Sequence, residues 1–157
     1  MERRQPVPSR WLVADERTGD GLWQVLRCLP RGSGVLFLYR DMPTRQRARL
    51  LSKLRIAARR HGLILVDEAA GEATRIHDLA EHRRASLRGT PLLFLSPVFP
   101  TRSHPKWTPL PRMKAAAMIR LATAPVIALG GMDEWRFRRV ERLGFQGWAG
   151  IDAWIRT

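Results

Sequence analysis

An α/β fold built on a parallel sheet is predicted by three features of the sequence. Short apolar runs recur without polar alternation, as strands buried on both faces of a parallel sheet require. A helix-like stretch separates successive runs, which is the spacing of right-handed βα crossovers. The last three runs end in glycine or hydroxyl residues: Leu92–Phe99 leads into Pro-Thr-Arg-Ser-His-Pro, Pro125–Leu129 into Gly130-Gly131, and Trp148–Ile151 encloses Gly150. Such loops offer backbone N–H and hydroxyl groups at the carboxyl ends of parallel strands, and in a βα barrel that place binds phosphate.

Each element has its own signal. Trp11–Ala14 is the first strand, ending at Asp15-Glu16, and a helix from about Asp20 to Leu29 is stopped by Pro30. Gly34–Tyr39 is a continuous apolar run that ends at Arg40-Asp41. Pro43-Thr44 then opens a long helix to His61, with Leu50, Leu51, Leu54, Ala57 and Ala58 on its inner face and Gly62 as its stop. Leu63–Val66 is the third strand, ending at Asp67-Glu68. The stretch Ala69–Arg88 holds a short strand, Thr74–His77, and a polar helix from about Asp78 to Arg88. After Gly89 the alternation is regular again, with helices over Met113–Leu121 and Glu134–Leu143 between the late strands. In the second of these, Phe137, Val140 and Leu143 face inward.

Composition narrows the class. The 157 residues, 45% of them hydrophobic, suit one domain spanning 1–157 with a real core. They are too few for a complete eight-fold βα barrel, which typically needs about 250 residues. The single Cys28 excludes a disulfide framework and fits a reducing compartment. No apolar run approaches the roughly 18 residues of a membrane span, and the start MERRQPVPSR has no signal-peptide core, so a cytoplasmic protein is expected. The net charge of +14 invites a nucleic-acid reading. Yet its arginines recur inside amphipathic helices, as solvated faces, and no zinc spacing, helix-turn-helix or aromatic RNA-binding strand accompanies them. A small anionic ligand suits the charge better than nucleic acid does.

Three stretches carry a family likeness: SPVFPTRSHP (96–105), PVIALGGM (125–132) and GFQGWAGIDAW (144–154). In order and separation they resemble the sixth, seventh and eighth βα units of the thiamine-phosphate synthase and thiazole tautomerase barrels. Upstream, LYRDMPTRQRARLLSKLRIAARRHGLILVDE (38–68) is similar to that family's second unit and third strand. The resemblance implies a (β/α) TIM-type barrel truncated to about seven strands, or one closed by dimerisation. It implies coupling of a pyrimidine diphosphate to a thiazole phosphate with release of diphosphate, and magnesium as the cofactor. The alternative is a catalytically degenerate homologue that binds a phosphorylated ligand or regulates. Only about ten residues, Glu68–His77, stand where the family has a further helix and strand with a second magnesium aspartate. One βα unit is therefore expected to be missing. The tautomerase histidine has no match, because Pro97 stands in its place.

The site residues follow from the same likeness. Gly130 and Gly131 match a phosphate-binding turn, or else form only a tight βα turn. Gly150, Ile151 and Asp152 match a second such turn, where serine is usual; Asp152 repels a phosphate unless protonated or turned away, or it caps a following helix. Thr101, Arg102 and Ser103 match a hydroxyl-rich loop that contacts both phosphates. His104 stands where the synthase has a diphosphate-binding lysine, with Lys106 or Arg102 as compensating cations. Arg40 matches the arginine of a Gln-x-Arg-x-Lys diphosphate motif whose flanks are here Leu38 and Met42. Asp67 matches the first magnesium aspartate, with Val66 before it, and both Arg40 and Asp67 are assigned catalytic roles, or else pair with each other as a structural ion pair. His77-Asp78 lies near the gap and offers a replacement ligand or a purely structural strand end.

Overall fold

Side-chain alternation along seven short strands decides where the core lies. The computed structural model describes residues 6–155. Its strands are β1 (Arg10–Ala14), β2 (Gly34–Phe37), β3 (Ile64–Asp67), β4 (Thr74–Ile76), β5 (Leu93–Leu95), β6 (Val126–Leu129) and β7 (Gly147–Gly150). The helices are α1 (Leu22–Cys28), α2 (Thr44–His61), α3 (Leu79–Leu87), α4 (Arg112–Leu121), α5 (Glu134–Arg138) and α6 (Asp152–Ile155). Every pairing is parallel, in the order β3-β2-β1-β7-β6-β5-β4.

Residues at alternate positions face two different cores, as the period of two in a strand requires. Trp11, Val13, Leu36, Leu38, Phe94, Ile127 and Ala149 form one inner cluster. Trp11 of β1 meets Phe94 of β5 edge to face, with ring centroids 5.3 Å apart, although β7 and β6 lie between those strands in the sheet. The sheet is therefore curled into a barrel-like trough whose floor Trp11 fills. Gly34 leaves the room this needs, since a Cβ there would run into the Trp11 ring. The outward residues Leu12, Val35 and Phe37 pack under α1 and α2. Leu93, Leu95, Val126 and Trp148 pack with α3 and α4.

The missing unit is visible as a seam. β3 and β4 are the two ends of the sheet order and do not pair with each other, so the barrel is open where the sequence lacks a stave. Such edges invite foreign strands unless charge or a covering segment blunts them. Here the link between them supplies carboxylates. Glu72 accepts the N–H of Asp67 at 2.7 Å, and Glu68 accepts the N–H of Arg75 at 3.0 Å. Ala73 drops into the inner cluster from the same link.

Two elements differ from the sequence expectation. The run Leu92–Phe99 is a strand only over Leu93–Leu95, because Pro97 has no N–H to offer the ladder. Beyond it, Val98 and Phe99 donate instead to Leu129 and Gly130, which ties the loop after β5 to the loop after β6. The helix expected over Glu134–Leu143 ends at Arg138 and becomes a 3₁₀ turn over Glu141–Leu143. Val140 leaves helical geometry (φ −125°, ψ −8°) and its side chain is buried in the outer core.

Candidate functional site

The loops after β2, β5, β6 and β7 all border one cleft of about 1100 Å³ at the carboxyl ends of the strands. Thr101, Arg102, Ser103, His104, Gly130, Gly131, Gly150, Ile151, Asp152 and Arg40 line it, while Asp67, and with it Lys106 and Asp78, lie outside the lining. The convergence has a local cause at the two glycines. Gly130 and Gly131 have φ of +96° and +60°, where a side chain is strained. A Cβ on Gly131 would strike the carbonyl oxygen of Pro100, and one on Gly130 would come within 2.8 Å of Pro97. Only glycine lets the loops after β5 and β6 sit this close. The Gly131 carbonyl is taken by the Arg136 guanidinium at 2.5 Å, which pins the turn. Among the described residues, no acceptor meets the N–H groups of Gly130, Gly131 or Ile151.

On the facing wall, Thr101 Oγ1 accepts the Ser103 N–H at 3.3 Å and orders the hydroxyl loop. His104 stacks on Trp107, centroids 4.3 Å apart, and Trp107 in turn meets His77 edge-on at 5.0 Å. His77, at the end of β4, is fixed by Glu81: Oε2 lies 2.8 Å from Nδ1 and accepts the His77 N–H at 2.6 Å. Asp78 caps α3 by accepting the Glu81 N–H at 2.7 Å. His77 lines the cleft, whereas Asp78 serves the helix.

Arg40 and Asp67 do not pair with each other. Arg40 reaches Glu68 Oε2 at 2.6 Å. Asp67 is buried and accepts from Arg47 at 2.6 Å and from the Ala69 N–H at 3.0 Å. Arg47 is itself held by the Leu38 carbonyl and lies over the Phe37 ring. Glu68 is almost enclosed, its side chain 6% exposed, and binds both Arg75 and Arg40. Burial acts to raise its pKa, but the hydrogen bonds and charge of Arg75, helped by Arg40, hold it below the usual carboxylate range. Magnesium needs oxygen donors that are free to face it. Asp67 and Glu68 have theirs committed to guanidiniums, and the described residues contain no group of three or more His, Cys, Asp or Glu side chains suited to a metal. This donor set does not fit a magnesium ion.

The cleft lining carries six arginines and four carboxylates, but Asp15 also holds Arg17 and Glu68 holds both Arg40 and Arg75, so the local excess of positive charge lies at the Arg40–Arg75 pair and at Arg102. One of the four, Glu134, is neutralised locally: hydrogen bonding to Arg10 outweighs burial and, with the Trp148 indole N–H, holds its pKa below the usual range. Asp133 is occupied as the cap of α5. Asp152 is exposed at the rim, as the mismatch in the sequence foreshadows. Glu68, Arg75, Glu81 and Trp107 are the participants that sequence reasoning did not single out. Arg75 is the middle residue of the short β4, and its place beside the gap was the available signal.

A family model described as thiamine monophosphate synthase matches residues 73–154. Among solved structures, the chain is similar to thiamine phosphate pyrophosphorylase from Pyrococcus furiosus, with a TM-score of 0.78 and 19% sequence identity. The likeness covers 98% of this chain and 90% of that one, and at this identity it speaks for the fold. No curated protein matches the sequence. No helix among the described residues is long and apolar enough to cross a membrane.

Proposed function

The chain belongs to the thiamine monophosphate synthase family, and on that footing we propose that it is a transferase that joins a pyrimidine diphosphate to a thiazole phosphate. The observation that carries the reading is the meeting of the three late loops at one cleft, with the N–H groups of Gly130, Gly131 and Ile151 left without internal acceptors. An oxyanion group meets such donors at little reorganisation cost. The thiazole phosphate is held there, with Thr101 and Ser103 adding hydroxyl groups from the loop after β5. Arg40, Arg102 and His104 line the same cleft and receive the diphosphate.

In the reaction the thiazole nitrogen donates its lone pair to the pyrimidine methylene carbon. The C–O bond to diphosphate breaks, and the diphosphate leaves with that electron pair. The protein contributes position and charge: two anchored phosphates bring nitrogen and carbon into line, and cations offset the charge on the leaving group. The test is formation of thiamine monophosphate from the two substrates, run in magnesium and in EDTA. Product that depends on Gly131 and Thr101 supports the reading. The engaged state of Asp67 and Glu68 favours one second reading, a ligand-binding descendant without turnover. That reading gives calorimetric binding of thiazole phosphate and no product under either condition.

A further inference from the structure

The edge of the cleft beside the seam carries a group of charges that the fold alone does not require. Glu68 accepts five hydrogen bonds, from the Arg75 N–H, Arg75 Nε and Nη2, and Arg40 Nε and Nη2, all between 2.6 and 3.2 Å. A carboxylate offers about four lone-pair sites, so Glu68 has no capacity left for a metal. Two guanidiniums sharing one carboxylate leave one positive charge uncompensated. Arg40 and Arg75 both line the cleft, and the Arg40 side chain is 67% exposed toward solvent. Asp67, the other acid of this edge, is removed from the balance by Arg47.

We propose that Arg40 and Arg75, braced by Glu68, form a metal-free receptor for the diphosphate group, doing with fixed guanidiniums what a bound cation would otherwise do. The inference rests on the transferase reading for the identity of the anion. Its physical basis is independent of that reading: loss of a stave places a buried acid between two arginines at the rim. Guanidinium groups bind phosphate oxygens through paired, charge-assisted hydrogen bonds; Glu68 fixes where the two stand but cancels one of their two charges, and the charge is the larger effect on a diphosphate.

The experiment is calorimetry on the full chain with inorganic diphosphate as probe, in EDTA and in magnesium, with thiamine monophosphate as a second probe. Diphosphate is expected to bind in EDTA at least as tightly as in magnesium. Arg40→Gln is expected to weaken it about tenfold. Glu68→Gln removes the one negative charge and is expected to tighten diphosphate binding severalfold, whereas loss of a metal ligand would weaken it. Should Glu68→Gln fail to fold, the exposed Arg40→Gln and the EDTA comparison still decide. Binding that requires magnesium, or that weakens in Glu68→Gln, overturns the receptor. Absence of diphosphate binding while thiamine monophosphate binds also overturns it and leaves the transferase reading standing. Absence of binding by both probes overturns the reading itself.

Discussion

Replacing Glu68 with alanine tests how an incomplete barrel holds its seam. The carboxylate is 6% exposed and joins the link after β3 to β4 through the Arg75 main chain and guanidinium, with Arg40 added from the end of β2. Removing one partner of a buried ion pair costs about 3–5 kcal/mol, because the other partner is left buried and unpaired. Arg75 is 24% exposed, so water recovers part of that loss. The Arg40 contact is largely in solvent and adds about 0–1 kcal/mol. The Arg75 N–H loses its acceptor, for about 1 kcal/mol more. A net loss of about 3 kcal/mol is expected for Glu68→Ala, measured from the midpoint and slope of urea unfolding. With the edge amide uncovered, sedimentation should also show a growing self-associated fraction. A loss below about 1 kcal/mol, with no association, would refute the claim that this carboxylate closes the seam.

Further predictions bear on acid, the cleft and its rim. The folded pKa of Glu68 lies below its unfolded value, so its contribution is full above the ordinary carboxylate range and is lost as pH falls through the folded pKa. The stability gap between the native chain and Glu68→Gln should therefore narrow as pH drops from about 5 toward 3, read by urea unfolding at each pH. Gly131→Ala should cost about 2 kcal/mol or more from its positive φ and its collision with Pro100, and calorimetry should show thiamine monophosphate binding lost. Asp152→Ser removes an exposed carboxylate from the rim and should tighten thiamine monophosphate binding severalfold, with stability unchanged within about 0.5 kcal/mol.

The parallel α/β order was legible because strands buried on both faces, such as Val35–Phe37 and Val126–Ala128, leave unbroken apolar runs. The gap between Asp67 and Thr74 was legible from its length alone, and the sheet opens there. The strand end at Pro97 was misjudged: the apolar letters continue through Phe99, while the ladder stops with the missing N–H. Within the site, glycine and hydroxyl residues at the ends of three successive strands pointed to the cleft, because their shared position, not any one of them, is what a common site requires. Partner choice among charges was hidden. Asp67 lies twenty residues from Arg47, and Arg40 twenty-eight from Glu68. Only the packing of α2 on β2 and β3 and the short link at the seam bring them together. Sequence spacing carries no record of such pairs.

A residue-resolved titration of backbone amides with thiamine monophosphate, by NMR, probes the phosphate cradle most directly. The N–H signals of Gly130, Gly131 and Ile151 are predicted to shift first and together, saturating at one common affinity. Shifts confined to the arginine-rich surface of α2, or no shift at these three amides at saturating ligand, would contradict it.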